Sequence, residues 1–175
     1  IRRSIEKQVD KNAILAAADA NDTKRLEMHM GPLRRLTGAI KAEAVAEAVI
    51  DEFNGGLDKI VLAYWHVETG DILAERLERY GVLRIDGATT AANRASHEEA
   101  FRTSAAHRVM LAQIQAAGEA VDFSAAAVLW FVEPCFTPAM MYQMSRRITN
   151  YHQTRQCFVR VAVLENSIDE AAQTV

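Results

Sequence analysis

Gln143 and Arg147 stand four residues apart in the helix-prone run "PAMMYQMSRRITNYHQ", a spacing that puts both on one helix face. A guanidinium presented that way makes forked hydrogen bonds to phosphate, and beside a phosphoryl group it would offset charge developing during transfer. Pairing with surface carboxylates is the alternative. Earlier in the chain, "AAGEAVDFS" places Gly118, Glu119, Asp122 and Ser124 in a loop. Small residues there let the backbone approach a ligand, and the Asp and Ser side chains can accept or donate hydrogen bonds. An ordinary helix-entry loop uses the same residue types. His66 closes "YWH" directly after an apolar run, where open α/β sheets bind ligands; a histidine satisfied at a loop start is the alternative.

Other chemistries lack their residues. Neither G-x-G-x-x-G nor G-x-x-x-x-G-K-[ST] occurs, and "TGAIKA" at 37–42 precedes the first strand without the spacing of a phosphate cradle. The chain alone therefore holds no complete site for nucleotide hydrolysis. Asp51 and Glu52 fall on a helix, as a solvated face, rather than at a strand end where they could hold magnesium. His29, His66, His97, His107 and His152 have neither the i,i+4 spacing nor the cysteine partners of a zinc site. Cys135 and Cys157 are too far apart for a CxxC pair and too few for a disulfide framework, so a reducing, cytoplasmic setting is expected.

With a formal net charge of -3 the chain has no general attraction to nucleic acid, and any such contact must be local. No apolar run approaches the roughly 20 residues that cross a bilayer, so no membrane partner is expected. The N-terminus lacks a signal-peptide core. Opening on Ile1 rather than methionine, the chain reads as part of a longer protein.

At 175 residues one domain is expected. Residues 1–32 form a polar, helix-prone extension, and 33–175 the domain. A helix over 38–53 carries Ile40, Ala44, Val45, Ala48 and Val49 at helical spacing, and Gly55-Gly56 stops it. Strands are predicted at 59–64, 82–86, 108–112, 127–133 and 157–164, with helices at 68–80, 90–102 and near 138–150. The strand runs are continuously apolar, as when helices cover both faces of a parallel sheet. The fold class is α/β, a three-layer sandwich with a mostly parallel sheet.

"KIVLAYWHVETGDILAERL", "RIDGATTAANRASHEEAF" and the run 113–170, taken in order, resemble the C-terminal RecA-like lobe of superfamily-two helicases. The resemblance narrows to Swi/Snf-type DNA translocases, especially small bacterial and phage helicase-like members, and covers about residues 33–170. "AAGEAVDFS" stands where that family reads "AGGxGLNLT". "EPCFTPAMMYQMSRRITNYHQ" stands where it reads "DPxWNPxxxxQxxxRxxRxGQ", matching Pro134, Pro138, Gln143, Arg147 and Gln153 but with Asn150 at the second arginine and His152 at the glycine.

The resemblance implies a motor lobe of an ATP-dependent DNA helicase or translocase, inactive alone and monomeric. Arg147 is then the arginine finger, with Gly118, Glu119, Asp122 and Gln143 beside it at the nucleotide, and with Arg146 or Arg155 available to replace the missing second arginine. His66, Arg94 and Ser124 would touch DNA, and Trp65 is open to base stacking, whereas Trp130 falls in a strand core. ATP and Mg would be held mainly by an N-terminal RecA-like lobe of the same protein. The substitution at Asn150 keeps a second reading open: a non-catalytic α/β interaction module derived from such a lobe.

Overall fold

The computed structural model describes residues 23–117, 121–133, 135, 137–151, 153–165, 167 and 169, with side chains described from Gly31 onward. Its elements are α1 (Thr23–Asn54), β1 (Ile60–Tyr64), α2 (Val67–Leu77) with a 3-10 turn (Glu78–Tyr80), β2 (Val82–Ile85) and α3 (Ala91–Thr103). They continue with β3 (Val109–Gln113), β4 (Val128–Phe131), α4 (Pro138–Arg146) and β5 (Phe158–Val161). The five strands form one sheet in the order β2-β3-β1-β4-β5, and every neighbouring pair is parallel.

Central β1, "IVLAY", is buried along its whole length because both of its faces are covered. Val61 and Ala63 pack in one cluster with Phe101 of α3 and Met144 of α4. Ile60, Leu62 and Tyr64 pack in a second cluster with Val45 and Val49 of α1 and with Leu73 and Leu77 of α2. The three expected layers are therefore α1 and α2, the sheet, then α3 and α4. Each large apolar side chain so buried contributes about 1.5–3 kcal/mol, which is why the strand runs show no polar alternation.

Helix α1 is longer than the sequence pattern predicts. It passes through Pro32, which has no N–H to donate, and crosses the 32/33 position without a break. Its inward face also differs from the predicted stripe: Val45 and Val49 are buried, but Ile40 is 41% exposed and Ala44 also faces out. The inward positions on that turn belong to Thr37, Gly38, Lys41 and Ala42. The helix stops as predicted: Gly56 takes φ +97°, and the Leu57 N–H donates to the Glu52 carbonyl at 2.9 Å.

At the same end of the sheet Lys59, directly before β1, closes α3. Its Nζ donates to the carbonyls of Phe101 (2.6 Å), Ser104 (2.6 Å) and His107 (3.0 Å), supplying a cation where a helix C-terminus leaves carbonyls unpaired. After β5, Lys41 and Asp169 form a buried ion pair at 2.7 Å that ties the chain back to α1. Edge strand β5, paired only with β4, leaves Phe158, Val159 and Val161 exposed.

Candidate functional site

Because all five strands point the same way, residues before and after them gather at opposite ends of the sheet. The predicted site residues divide between these ends. His66 follows β1, and Arg94 lies in the first turn of α3 after β2, so both belong to the C-terminal end of the strands. Asp122 and Ser124 lead into β4, and Asn150 and Gln153 lead into β5, so they belong to the N-terminal end. Helix α4 spans the gap, its nine residues covering about 14 Å.

At the N-terminal end, Arg147 is the C-cap of α4 and keeps helical dihedrals (φ -70°, ψ -28°), so it still extends the face that carries exposed Gln143. Its carbonyl accepts the Phe123 N–H at 3.0 Å. Asp122 Oδ1 accepts the Ser124 N–H (2.8 Å) and the Asn150 amide (2.6 Å). Gln153 Nε2 donates to the carbonyls of Ser124 (3.0 Å), Ala126 (2.9 Å) and Ile148 (3.1 Å). The Arg155 guanidinium donates to the carbonyls of Ser124 (2.9 Å) and Ala125 (2.7 Å). Arg155 thus fastens the loop before β4, and Asn150 fastens Asp122. Burial pushes the Glu98 carboxyl up; the Asp122 backbone pulls it down and the Asp122 charge adds to the rise.

At the C-terminal end, Glu133 is 3% exposed and uses both oxygens. Oε2 accepts the N–H groups of Trp65 and His66, each at 2.9 Å, and Oε1 lies 2.5 Å from His66 Nδ1. Burial alone would raise the Glu133 carboxyl; these bonds from His66 and Trp65 outweigh it and hold the group below its ordinary value. Gln113, the last residue of β3, bridges two loops: its Nε2 donates to the Trp65 carbonyl (3.1 Å) and its Oε1 accepts the Gly87 N–H (3.1 Å). Tyr64 receives a bond from Arg84 Nε at 2.8 Å, and burial pushes its hydroxyl up to about 12 against the pull of that guanidinium.

Trp65 is half-buried with the Arg34 guanidinium 5.1 Å from its ring, and Trp130 is half-buried rather than enclosed, with Arg160 5.3 Å from its ring. A cleft of about 600 Å³ beside His66 is lined by Pro32, Arg35, Leu36, Ala39 and Glu68, among others. Arg94 Nε is buried and meets no hydrogen-bond acceptor among the described residues.

The structure brings Asp122, Ser124 and Arg147 together but does not put Ser124 on one edge with His66 and Arg94. Gly118 and Glu119 lie outside the described residues. No motif marks Glu133 or Gln113, although each is a polar residue closing a buried apolar strand run, the position where strand ends present groups to a site. Among the described residues no three His, Cys, Asp or Glu side chains lie close enough to hold a metal ion. No helix among them is long and apolar enough to cross a membrane.

Residues 40–152 match the family model "Helicase conserved C-terminal domain". The chain is 28% identical over 140 residues to the SWI/SNF-related matrix-associated actin-dependent regulator of chromatin subfamily A-like protein 1 homolog of Caenorhabditis elegans, covering 77% of this chain and 20% of that protein. It is 23% identical over 168 residues to the chromatin-remodeling ATPase INO80 of Cryptococcus neoformans, covering 95% and 10%. The chain thus spans a fifth or less of these relatives. The crystal structure of the C-terminal part of the Fun30 ATPase domain superposes with a TM-score of 0.69 at 20% identity, covering 77% of this chain and 44% of that one, a likeness of fold.

Proposed function

Because the chain belongs to the helicase conserved C-terminal domain family, as the C-terminal RecA-like lobe of a Swi/Snf-type superfamily-two ATPase, we propose that it is the second motor lobe of an ATP-dependent DNA translocase. ATP would lie between this lobe and an N-terminal RecA-like lobe of the same protein, which supplies the phosphate cradle and the magnesium ligands. From this side Arg147 reaches the nucleotide phosphates, with Gln143, Asp122 and Ser124 beside it. His66 and Arg94, at the other end of the sheet, contact the DNA backbone. Opening and closing of the cleft then moves the DNA.

The observation that carries this reading is α4: within the matched segment it presents Gln143 and Arg147 on one face, with Arg147 fastened through its carbonyl to the loop before β4. A guanidinium held by a fixed backbone can stabilise transition-state charge without reorganising. The test is ATP hydrolysis with and without duplex DNA by the full-length protein and by the 175-residue chain. DNA-stimulated turnover is expected from the first and none from the second. Full-length protein without turnover would favour the second reading, a non-catalytic interaction module, toward which the Asn150–Asp122 bond points.

A further inference from the structure

We propose that Glu133 is a positioning residue that links the DNA-facing loop after β1 to the segment leading into α4, so that His66 and Arg147 shift as one unit. The proposal rests on the motor reading and adds a residue that reading did not contain.

Glu133 sits between β4 and α4, and its carboxylate crosses to the neighbouring strand rather than bonding its own loop. A carboxylate only accepts, so the short contact to His66 requires the hydrogen on Nδ1. With the Trp65 and His66 amides, three donors therefore converge on one buried anion. A glutamine of the same shape could accept both amides through its one oxygen, but its NH₂ would then face His66 Nδ1, so the anion is lost and the imidazole must move its hydrogen to Nε2. The backbone of α1 closes the third side. A Cβ on Gly38 would lie 2.3 Å from Glu133 Oε1 and 2.7 Å from Thr69 Oγ1, so the helix approaches this closely only with glycine at 38.

Five residues after this anchor α4 begins at Pro138, and Arg147 is its C-cap. Besides the backbone pairing of β1 with β4 and the apolar packing of Trp65 in the cluster that holds Met144, the Glu133 bonds add a polar side-chain link between the loop at His66 and the end of β4. A displacement of the loop at His66 has to carry Glu133 at the end of β4 with it or break bonds to a buried charge, and broken bonds of that kind are costly.

The test is a double-substitution cycle in the full-length protein, with Glu133→Gln, His66→Ala and the pair. Two readouts are taken: amide hydrogen exchange at 65–66 and along α4, and the linear duplex DNA concentration giving half-maximal stimulation of ATP hydrolysis. Glu133→Gln is expected to speed exchange at 65–66 and to raise the half-saturating DNA concentration roughly threefold to tenfold, with the double variant no worse than the worse single one. Unchanged exchange in Glu133→Gln, or strictly additive effects, would overturn the linkage. Glu133→Asp keeps the charge one methylene back and repeats the cycle if the glutamine variant does not fold. If the unsubstituted protein shows no DNA-stimulated turnover, the motor reading fails, and the exchange measurement alone still decides whether Glu133 holds the loop.

Discussion

Asn150 and Asp122 hold each other: the Asn150 amide donates to Asp122 Oδ1 at 2.6 Å, and the same oxygen accepts the Ser124 N–H. The bond joins the loop before β4 to the segment before β5. It also decides what an arginine at 150, the residue that the resembling family has there, would meet. A guanidinium in that place faces a carboxylate already in hydrogen-bond range. Asn150→Arg alone is therefore expected to pair with Asp122 and leave ATP hydrolysis by the full-length protein unimproved, whereas Asn150→Arg with Asp122→Asn should raise it. A gain from the single substitution would show that Asp122 does not capture the new charge.

Arg147→Ala in the full-length protein is expected to cut turnover by roughly 10³–10⁵, the scale of other arginine fingers. DNA affinity should stay within about twofold, because transition-state charge stabilisation is absent from ground-state binding. Steady-state hydrolysis and a DNA titration measure the two. Unimpaired turnover would remove Arg147 from the phosphate.

Gly38→Ala tests the close approach of α1. Alanine favours helix by about 1 kcal/mol over glycine, yet here its methyl would fall on Glu133 and Thr69. Overpacking of this kind costs about 1–3 kcal/mol, so a net loss of stability is expected in thermal melts. An increase in melting temperature would mean that α1 can withdraw freely.

The acid limb of stability should report Glu133. Its folded carboxyl is held below the ordinary 4.5, so its contribution is full above that value and is lost as pH falls through the lowered one. Urea unfolding of the parent and Glu133→Gln should therefore differ most near pH 7 and converge in strong acid. A difference that is constant across this range would rule out an ionised Glu133 as the source.

Lys59→Met is expected to destabilise the fold by about 2–4 kcal/mol, since three carbonyls at the end of α3 lose one charged donor. Chemical denaturation measures the loss. A variant as stable as the parent would show that water replaces the ammonium there.

Much of the architecture is legible in the chain because burial on both faces writes itself as unbroken apolar runs. "IVLAY" could belong only to a covered strand or a short buried helix segment, and the helical patterns between such runs settle a parallel sheet. Gly55-Gly56 announces the end of α1 because a left-handed residue is needed there. The i,i+4 spacing of Gln143 and Arg147 likewise fixes their common face, a property of the helix alone.

Tertiary structure decided which of these pieces meet. Periodicity records how far a residue is buried but not which distant strand lies beside it, and the order β2-β3-β1-β4-β5 sets β4 against β1, bringing together Trp65 and Glu133 at a sequence separation of 68. That pairing turned His66 from an isolated loop residue into one end of a buried charge network. It also placed Ser124 at the opposite end of the sheet, and it turned Ile40 outward by giving the inner face of α1 to Gly38 and Lys41, whose partners Glu133 and Asp169 lie far along the chain. Long-range contacts of this sort leave no local pattern, because a residue that bonds a partner from another element obeys that partner's position rather than its own neighbours' spacing.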